Sequence, residues 1–216
     1  MHMTRAELAP TSFAPLLTHA ASADGAHKLI WSLFSTPESS RDFLFRETSD
    51  RSYLIVSRRA PSDAHNLWRL QTKEYAPTFT PGERLGFVLR ANPAASAPSH
   101  EGKRGRRVDA VMHKKRPRAE RAGAAFDADQ EQAAALEWLY KRAERLGVCF
   151  ETTLCAASGY RTHTISRREG AAIRYASVDY EGVLRVVEPS LLVGALGAGI
   201  GKAKAFGCGL LLLRPA

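Results

Sequence analysis

The sequence predicts an α+β fold built as two halves of about a hundred residues each. Two observations carry this. Strand-like and helix-like patterns follow the order strand, helix, strands, and then, after an interruption, strand, helix, strands, short helix, strand. The interruption is a shift at residues 93–105 to Ala, Pro, Ser, Gly and Lys, the composition of an interdomain linker. The expected division is therefore 1–92, linker 93–105, and 106–216. With 216 residues, 44% hydrophobic and 25% charged, the chain has the composition of an ordinary globular protein.

Weak alternation over 3–9 suggests a first strand. Leu29, Ile30, Leu33 and Phe34 then share one face of a helix, with Asp24 as candidate N-cap and Pro37 as its stop. Residues 41–46 (RDFLFR) and 53–58 (YLIVSR) are rich in aromatic and β-branched residues and read as strands. Asn66–Leu70 fits a short helix or an extended piece. Pro81-Gly82 marks a turn, and 85–90 (LGFVLR) another strand before Asn92-Pro93. In the basic run 103–118, Val108, Ala110 and Met112 alternate with polar residues, as in a short strand.

Residues 127–146 form the clearest helix. Asp127 caps it, Gln130 holds the capping-box position, and Gly147 supplies the left-handed stop. Strand-like stretches follow at 148–155, 160–167, 171–180 and 183–187, with a basic turn at 167–170. Pro189 suits the first position of a short helix over 190–196. That helix runs into GALGAGIGKAKAFGCG, residues 194–209, and then the apolar run Leu210–Leu213.

The glycine-rich stretch bears most on function. Glycine allows positive φ, and successive backbone N–H groups form a nest for an anion, to which Lys202 and Lys204 add charge. A plain turn before the last strand is the alternative. A Walker A loop is excluded, because Leu196 stands where its first glycine belongs and Ala203 follows Lys202 in place of Ser or Thr. The dinucleotide fingerprint fails at Lys204, where its third glycine belongs, and both motifs follow a strand whereas this stretch precedes one.

A net charge of +9 points to a polyanionic partner. The run 103–118 is either a solvated face or a nucleic-acid contact. Three cysteines, at 149, 155 and 208, make no disulfide framework or paired metal spacing, which suits a reducing cytoplasm. The first ten residues lack an apolar signal core, and the final apolar run is too short to cross a bilayer, so no membrane partner is expected. Neither a carboxylate cluster nor a His/Cys pair stands out, and no metal or other cofactor is expected.

Four blocks give the sequence a family resemblance. GIGKAKAFGCGLLLL at 199–213 resembles the glycine-rich signature of CRISPR-associated repeat-processing ribonucleases. HKLIWSLF at 27–34 followed by RDFLFR at 41–46 is similar to the type I-E branch, the CasE family. LRANP at 89–93 and YEGVL at 180–184 match the same branch, and the blocks keep the family's order. The resemblance implies two tandem ferredoxin-like domains. It implies endonucleolytic cleavage of precursor CRISPR RNA within repeat hairpins, with the mature guide RNA retained among the other subunits of the Cascade complex.

Metal-free RNA cleavage requires deprotonation of a 2′-OH, stabilisation of the phosphate charge and protonation of the 5′-oxygen. Histidine suits the proton transfers because its unperturbed pKa is about 6.5. His27 matches the family's catalytic histidine, and a place in the first helical turn would disfavour its imidazolium. Lys204 matches the family lysine of the glycine loop, while Lys202 falls where many members have proline. The family commonly has tyrosine three residues before the histidine, where this chain has Asp24; an aspartate there either orients His27 or only caps the helix. His19 is a fallback histidine at the wrong spacing. Gly199, Gly201 and Arg41 are expected to contact RNA, with Arg46 a further candidate. Arg161, His163, Arg167, Arg168 and Arg174 match the family's basic hairpin, which grips the RNA stem by shape and phosphate contacts, with a solvated basic turn as the alternative. The competing reading is a subunit that binds the hairpin without cutting it.

Overall fold

The computed structural model describes residues 1–9, 23–34, 41–49, 51–96, 107–113, 127–165 and 170–216. Helices and antiparallel sheets are mixed, as an α+β chain requires. The first sheet contains β1 (His2–Leu8), β2 (Phe43–Ser49), β3 (Ser52–Ser57) and β4 (Trp68–Glu74), in the order β2-β3-β1-β4. Helix α1 (Ala23–Trp31) continues into a 3-10 turn at Ser32–Phe34. Of the two options for Asn66–Leu70, the extended one is realised, since Trp68 begins β4.

Period-2 geometry explains the continuous apolar run of β2. Phe43 and Phe45 turn toward Leu29, Ile30 and Phe34 in one core cluster. Leu44, between them, faces the other way and packs with Val56 and Leu210. Around Leu44 and Val56 the first sheet is therefore buried on both faces, by its own helix and by the C-terminal half of the chain.

The second sheet has the order β11-β5-β10-β8, with β9 also paired to β10. It comprises β5 (Arg84–Ala91), β8 (Val148–Phe150), β9 (Ala156–Ile165), β10 (Ile173–Val186) and β11 (Leu211–Pro215). Its core includes Phe87, Leu89, Trp138, Leu139, Tyr180, Leu192 and Leu196. The sheet division departs from the expected boundary: β5 pairs with β10 and β11, not with any strand of the first sheet. The chain thus crosses between the sheets at 75–83, before β5 and not after Asn92. Side chains decide this, because Leu85, Phe87, Leu89 and Ala91 bury one face against the second core. Within the expected linker, β6 (Ala94–Ser96) pairs with β7 (Arg107–Asp109); residues 97–106 lie outside the described residues.

The 127–146 helix forms as two pieces, α2 (Ala128–Tyr140) and α3 (Ala143–Leu146). At the break, the Arg142 N–H donates to Leu139 O, a tightened turn, and the Arg142 guanidinium lies 3.6 Å from the Trp138 ring centroid. Asp127 accepts from the Gln130 N–H at 2.8 Å, and Gly147 closes α3 at φ 67°. The stretches 171–180 and 183–187 are one strand, β10. Pro189 opens α4 (Pro189–Ala198) as expected, with the Glu188 side chain accepting from the Ser190 N–H.

The two sheets are tied by a charged link. Arg90 on β5 makes a bidentate pair with Asp179 on β10 (2.9 and 2.8 Å), and Arg46 on β2 reaches the same carboxylate at 3.2 Å. Arg46 is thereby engaged inside the protein rather than turned toward a ligand.

Candidate RNA-cleavage site

His27 lies on α1 among aromatic rings. Its centroid is 5.5 Å from Trp31 in an edge geometry, 6.2 Å from Phe43, and 6.5 Å from Phe45 in a nearly parallel stack. This packing fixes the imidazole through rigid neighbours on α1 and β2. Asp24 lies within α1 (Ala23–Trp31) and is therefore not its N-cap, and His27 lies a further turn along. The helix-end electrostatics expected for a first-turn histidine fade beyond that turn, so they do not account for His27.

Some 180 residues later in the chain, the 3-10 turn Lys204–Phe206 packs against α1 and β2. Lys204 Nζ donates to Ala198 O at the end of α4, 2.5 Å away. Partial burial pushes the Lys204 ammonium below its ordinary pKa, and the charges of Arg41, Lys202 and Arg145 push the same way. Burial also lowers Arg41. Among the described residues, the charges that shift Lys204 are thus positive, an arrangement costly in isolation and relieved by an anion.

The glycine stretch is not an open nest of N–H groups. Gly199 N–H donates to Ala195 O, Ile200 N–H to Gly209 O, and Gly209 N–H to Arg90 O. Gly199 is buried: a β-carbon there would lie 2.7 Å from Leu44 Cδ2. A β-carbon on Gly209 would lie 2.7 Å from Ile200 O and 3.2 Å from Lys204 Cγ. The expected RNA contact of Gly199 is corrected accordingly, since this glycine lets the loop close on β2. Gly201 is partly exposed and faces Trp138 and Asn92 O, and so it too serves packing. Lys202 is exposed and bridged to Asn92 beyond β5.

Arg161 and Arg174 are exposed on the β9–β10 hairpin. Arg167, Arg168 and His19 lie outside the described residues. Arg174 and Lys202 line a common cleft, which connects the hairpin to the lysine turn. Arg145 was not singled out by sequence reasoning; its place in the last turn before Gly147 is the local signal that it flanks a helix end. Equally unforeseen is a column of rings, His163 on Tyr175 (4.5 Å) and Tyr175 on Phe206 (4.9 Å), both nearly parallel. Among the described residues, no three His, Cys, Asp or Glu side chains gather as metal ligands, and no helix is long and apolar enough to cross a membrane.

The profile of the family described as CRISPR associated protein matches residues 1–215. Over 201 residues the chain is 29% identical to the CRISPR system Cascade subunit CasE of Escherichia coli, covering 88% of this chain and 90% of that protein. It is also 29% identical over 156 residues to the CRISPR-associated endoribonuclease Cse3 of Thermus thermophilus, covering 66% and 61%. In structure it resembles Cse3 bound to a 19-nucleotide RNA, with a TM-score of 0.74, 24% identity and complete coverage of both chains. The Escherichia coli Cas6e crystal structure is similar at a TM-score of 0.61 and 24% identity, again over the whole of both chains. With the family profile running over residues 1–215, this chain belongs to the CRISPR-associated protein family, and among its members it is similar to CasE.

Proposed function

We propose that this protein is a metal-independent endoribonuclease that cleaves precursor CRISPR RNA within its repeat hairpins and stays bound to the mature guide RNA in the Cascade complex. The observation that carries the reading is the contact of α1, which bears His27, with the turn that bears Lys204. Elements from opposite ends of the chain meet, with cations acting on Lys204, an arrangement that suits cleavage of a phosphodiester. The related proteins named as a Cascade subunit and as an endoribonuclease support the same activity.

In the reaction, the 2′-oxygen bonds to the adjacent phosphorus as its proton leaves, and the bond from phosphorus to the 5′-oxygen breaks. The products are a cyclic 2′,3′-phosphate and a 5′-OH. His27 serves one of the two proton transfers, held by Trp31, Phe43 and Phe45. Lys204, with Arg41, Lys202 and Arg145 nearby, stabilises the charge that grows on the phosphate oxygens. The hairpin arginines Arg161 and Arg174, and Arg167 and Arg168 between its strands, hold stem phosphates. Net charge of +9 favours fast, salt-sensitive capture of RNA.

The architecture proposed is two tandem ferredoxin-like units, for which strand order is the support. In the first sheet the first and third strands in the chain are central and the second and fourth lie outside, β2-β3-β1-β4; the second sheet follows the same order, β8-β10-β5-β11, once the hairpin strand β9, which pairs only with β10, is set aside. The first unit has no helix among the described residues between β3 and β4, where the second has α4.

The test is incubation of the protein with its own repeat RNA in EDTA. Cleavage is expected to persist in the wild type and to vanish in His27→Ala, while that variant still binds the hairpin. Intact RNA at stoichiometric wild-type protein would sink the nuclease assignment and favour the second reading, a hairpin-binding subunit that does not cut. Asp24, at the position where the family commonly has tyrosine, is the feature that favours it.

A further inference from the structure

A cleft of about 700 Å³ lies between the β9–β10 hairpin, β7 with the helical turn after it, and the 202–206 turn. Its aromatic wall is the column His163, Tyr175 and Phe206, a continuous run of parallel rings. Ile173 and the exposed Met112 add apolar surface. Two cations, Lys202 and Arg174, stand at its lining. The lining carboxylate, Asp109, is already engaged: Oδ1 accepts from the Val111 and Met112 N–H groups, and Oδ2 from the Tyr160 hydroxyl. The His163 ring is likewise fixed, its Nε2 hydrogen-bonded to Ser177 Oγ at 2.8 Å.

Aromatic rings and apolar side chains with cations beside them suit a planar heterocycle that carries phosphate. A cleft of this volume suits one such group and not a base-paired helix. Bases within a duplex are stacked and paired, and the ones that enter aromatic sites are unpaired. The position of the cleft names the nucleotide. Lys202, Ala203 and Phe206 line it, and Lys204 sits among them on the same turn.

We propose that this cleft takes the base of an unpaired RNA nucleotide adjoining the scissile phosphate, beside the Tyr175 and Phe206 rings and with the flanking phosphate on Lys202 or Arg174. The inference rests on the nuclease reading of the Lys204 turn and deepens it. Register at the cut would then come from two grips, the stem along the hairpin and this base in the cleft. Phe206 connects them, because one residue both lines the cleft and ends the turn that carries Lys204.

The experiment uses full-length protein and repeat hairpins that keep their unpaired flanks and carry a non-cleavable 2′-deoxy residue at the cut. In one set an abasic residue replaces each nucleotide beside the scissile phosphate in turn. Loss of the base seated beside these rings should weaken wild-type binding about tenfold, the upper end of what an aromatic edge contact contributes. Thr162→Trp fills the cleft from an exposed strand position, and Tyr175→Leu removes the central ring. Both variants should bind intact RNA about as weakly as the wild type binds abasic RNA, with little further loss on abasic RNA. An abasic penalty of equal size in the wild type and in Thr162→Trp would overturn the proposal, as would a wild type that binds the hairpin but ignores abasic substitution. Failure of the wild type to bind any repeat hairpin would instead overturn the function beneath it.

Discussion

Substituting Gly209 by alanine tests how the glycine stretch holds the lysine turn. Gly209 has φ +91°, and a β-carbon there would meet the backbone oxygen of Ile200 at 2.7 Å, well inside contact distance. Neither side can yield freely. Gly209 N–H donates to Arg90 O at 2.7 Å, and Ile200 N–H donates to Gly209 O at 2.9 Å. Left-handed backbone costs a non-glycine residue about 1–2 kcal/mol. Relieving the clash sacrifices or stretches a backbone hydrogen bond, a further ~1–2 kcal/mol. The sum of about 2–4 kcal/mol would lower the melting temperature by roughly 4–16 °C in a chain of this size. Gly82→Ala is the control, since Gly82 has φ +87° but no atom within 4 Å of its β-carbon position. It should lose only the backbone part, about 1–2 kcal/mol. Urea unfolding followed by circular dichroism measures both variants. Because Lys204 Cγ lies 3.2 Å from the same β-carbon position, Gly209→Ala should also slow cleavage at a temperature where it remains folded. Equal stability losses in Gly209→Ala and Gly82→Ala would refute the close-approach argument.

Replacing Lys204 by methionine removes a cation whose neighbours Arg41, Lys202 and Arg145 repel it, so the melting temperature should hold or rise while cleavage falls about 100-fold or more; a stability loss with cleavage intact would contradict the site. The Asp42 carboxyl is held below its ordinary pKa, mainly by hydrogen bonds from Arg59 at 2.7 and 2.9 Å. Its folded value being depressed, its contribution is present above about pH 4 and lost as pH falls below that, through the folded value. Asp42→Asn should therefore be less stable than the wild type at pH 7, with the gap closing in acid; a gap that stays constant to pH 2 would exclude the linkage. Asp179→Ala leaves the partly buried Arg46 and Arg90 without their shared carboxylate, at a cost of about 1–3 kcal/mol after allowing for its partial exposure, and a urea-midpoint shift equivalent to less than ~0.5 kcal/mol would remove this link from the account.

Local signals in the sequence were sufficient where a few neighbouring residues decide the outcome. Asp127, Gly147 and Pro189 ended or began their helices where their own backbone and side-chain preferences put them. The α+β pattern was legible for the same reason. Asp24 lies inside the helix and not before it, a boundary that local signals fix only to within a few residues.

Tertiary structure decided everything that depends on what lies across a gap in the chain. The sequence of β5 marks it as a strand, but alternating apolar residues fit either sheet, and only packing with β10 and β11 assigns it to the second. Gly199 looked like a phosphate contact because glycine suits both an open loop and a close approach. Leu44, 155 positions earlier, is what selects the second role. The meeting of α1 with the Lys204 turn has the same origin: β2 buries Phe43 and Phe45 on one face and Leu44 on the other. Local preference sets the conformation of each segment, while the choice of partner is set by burying two apolar faces together. That choice is a property of both surfaces, and the sequence of either one alone does not contain it.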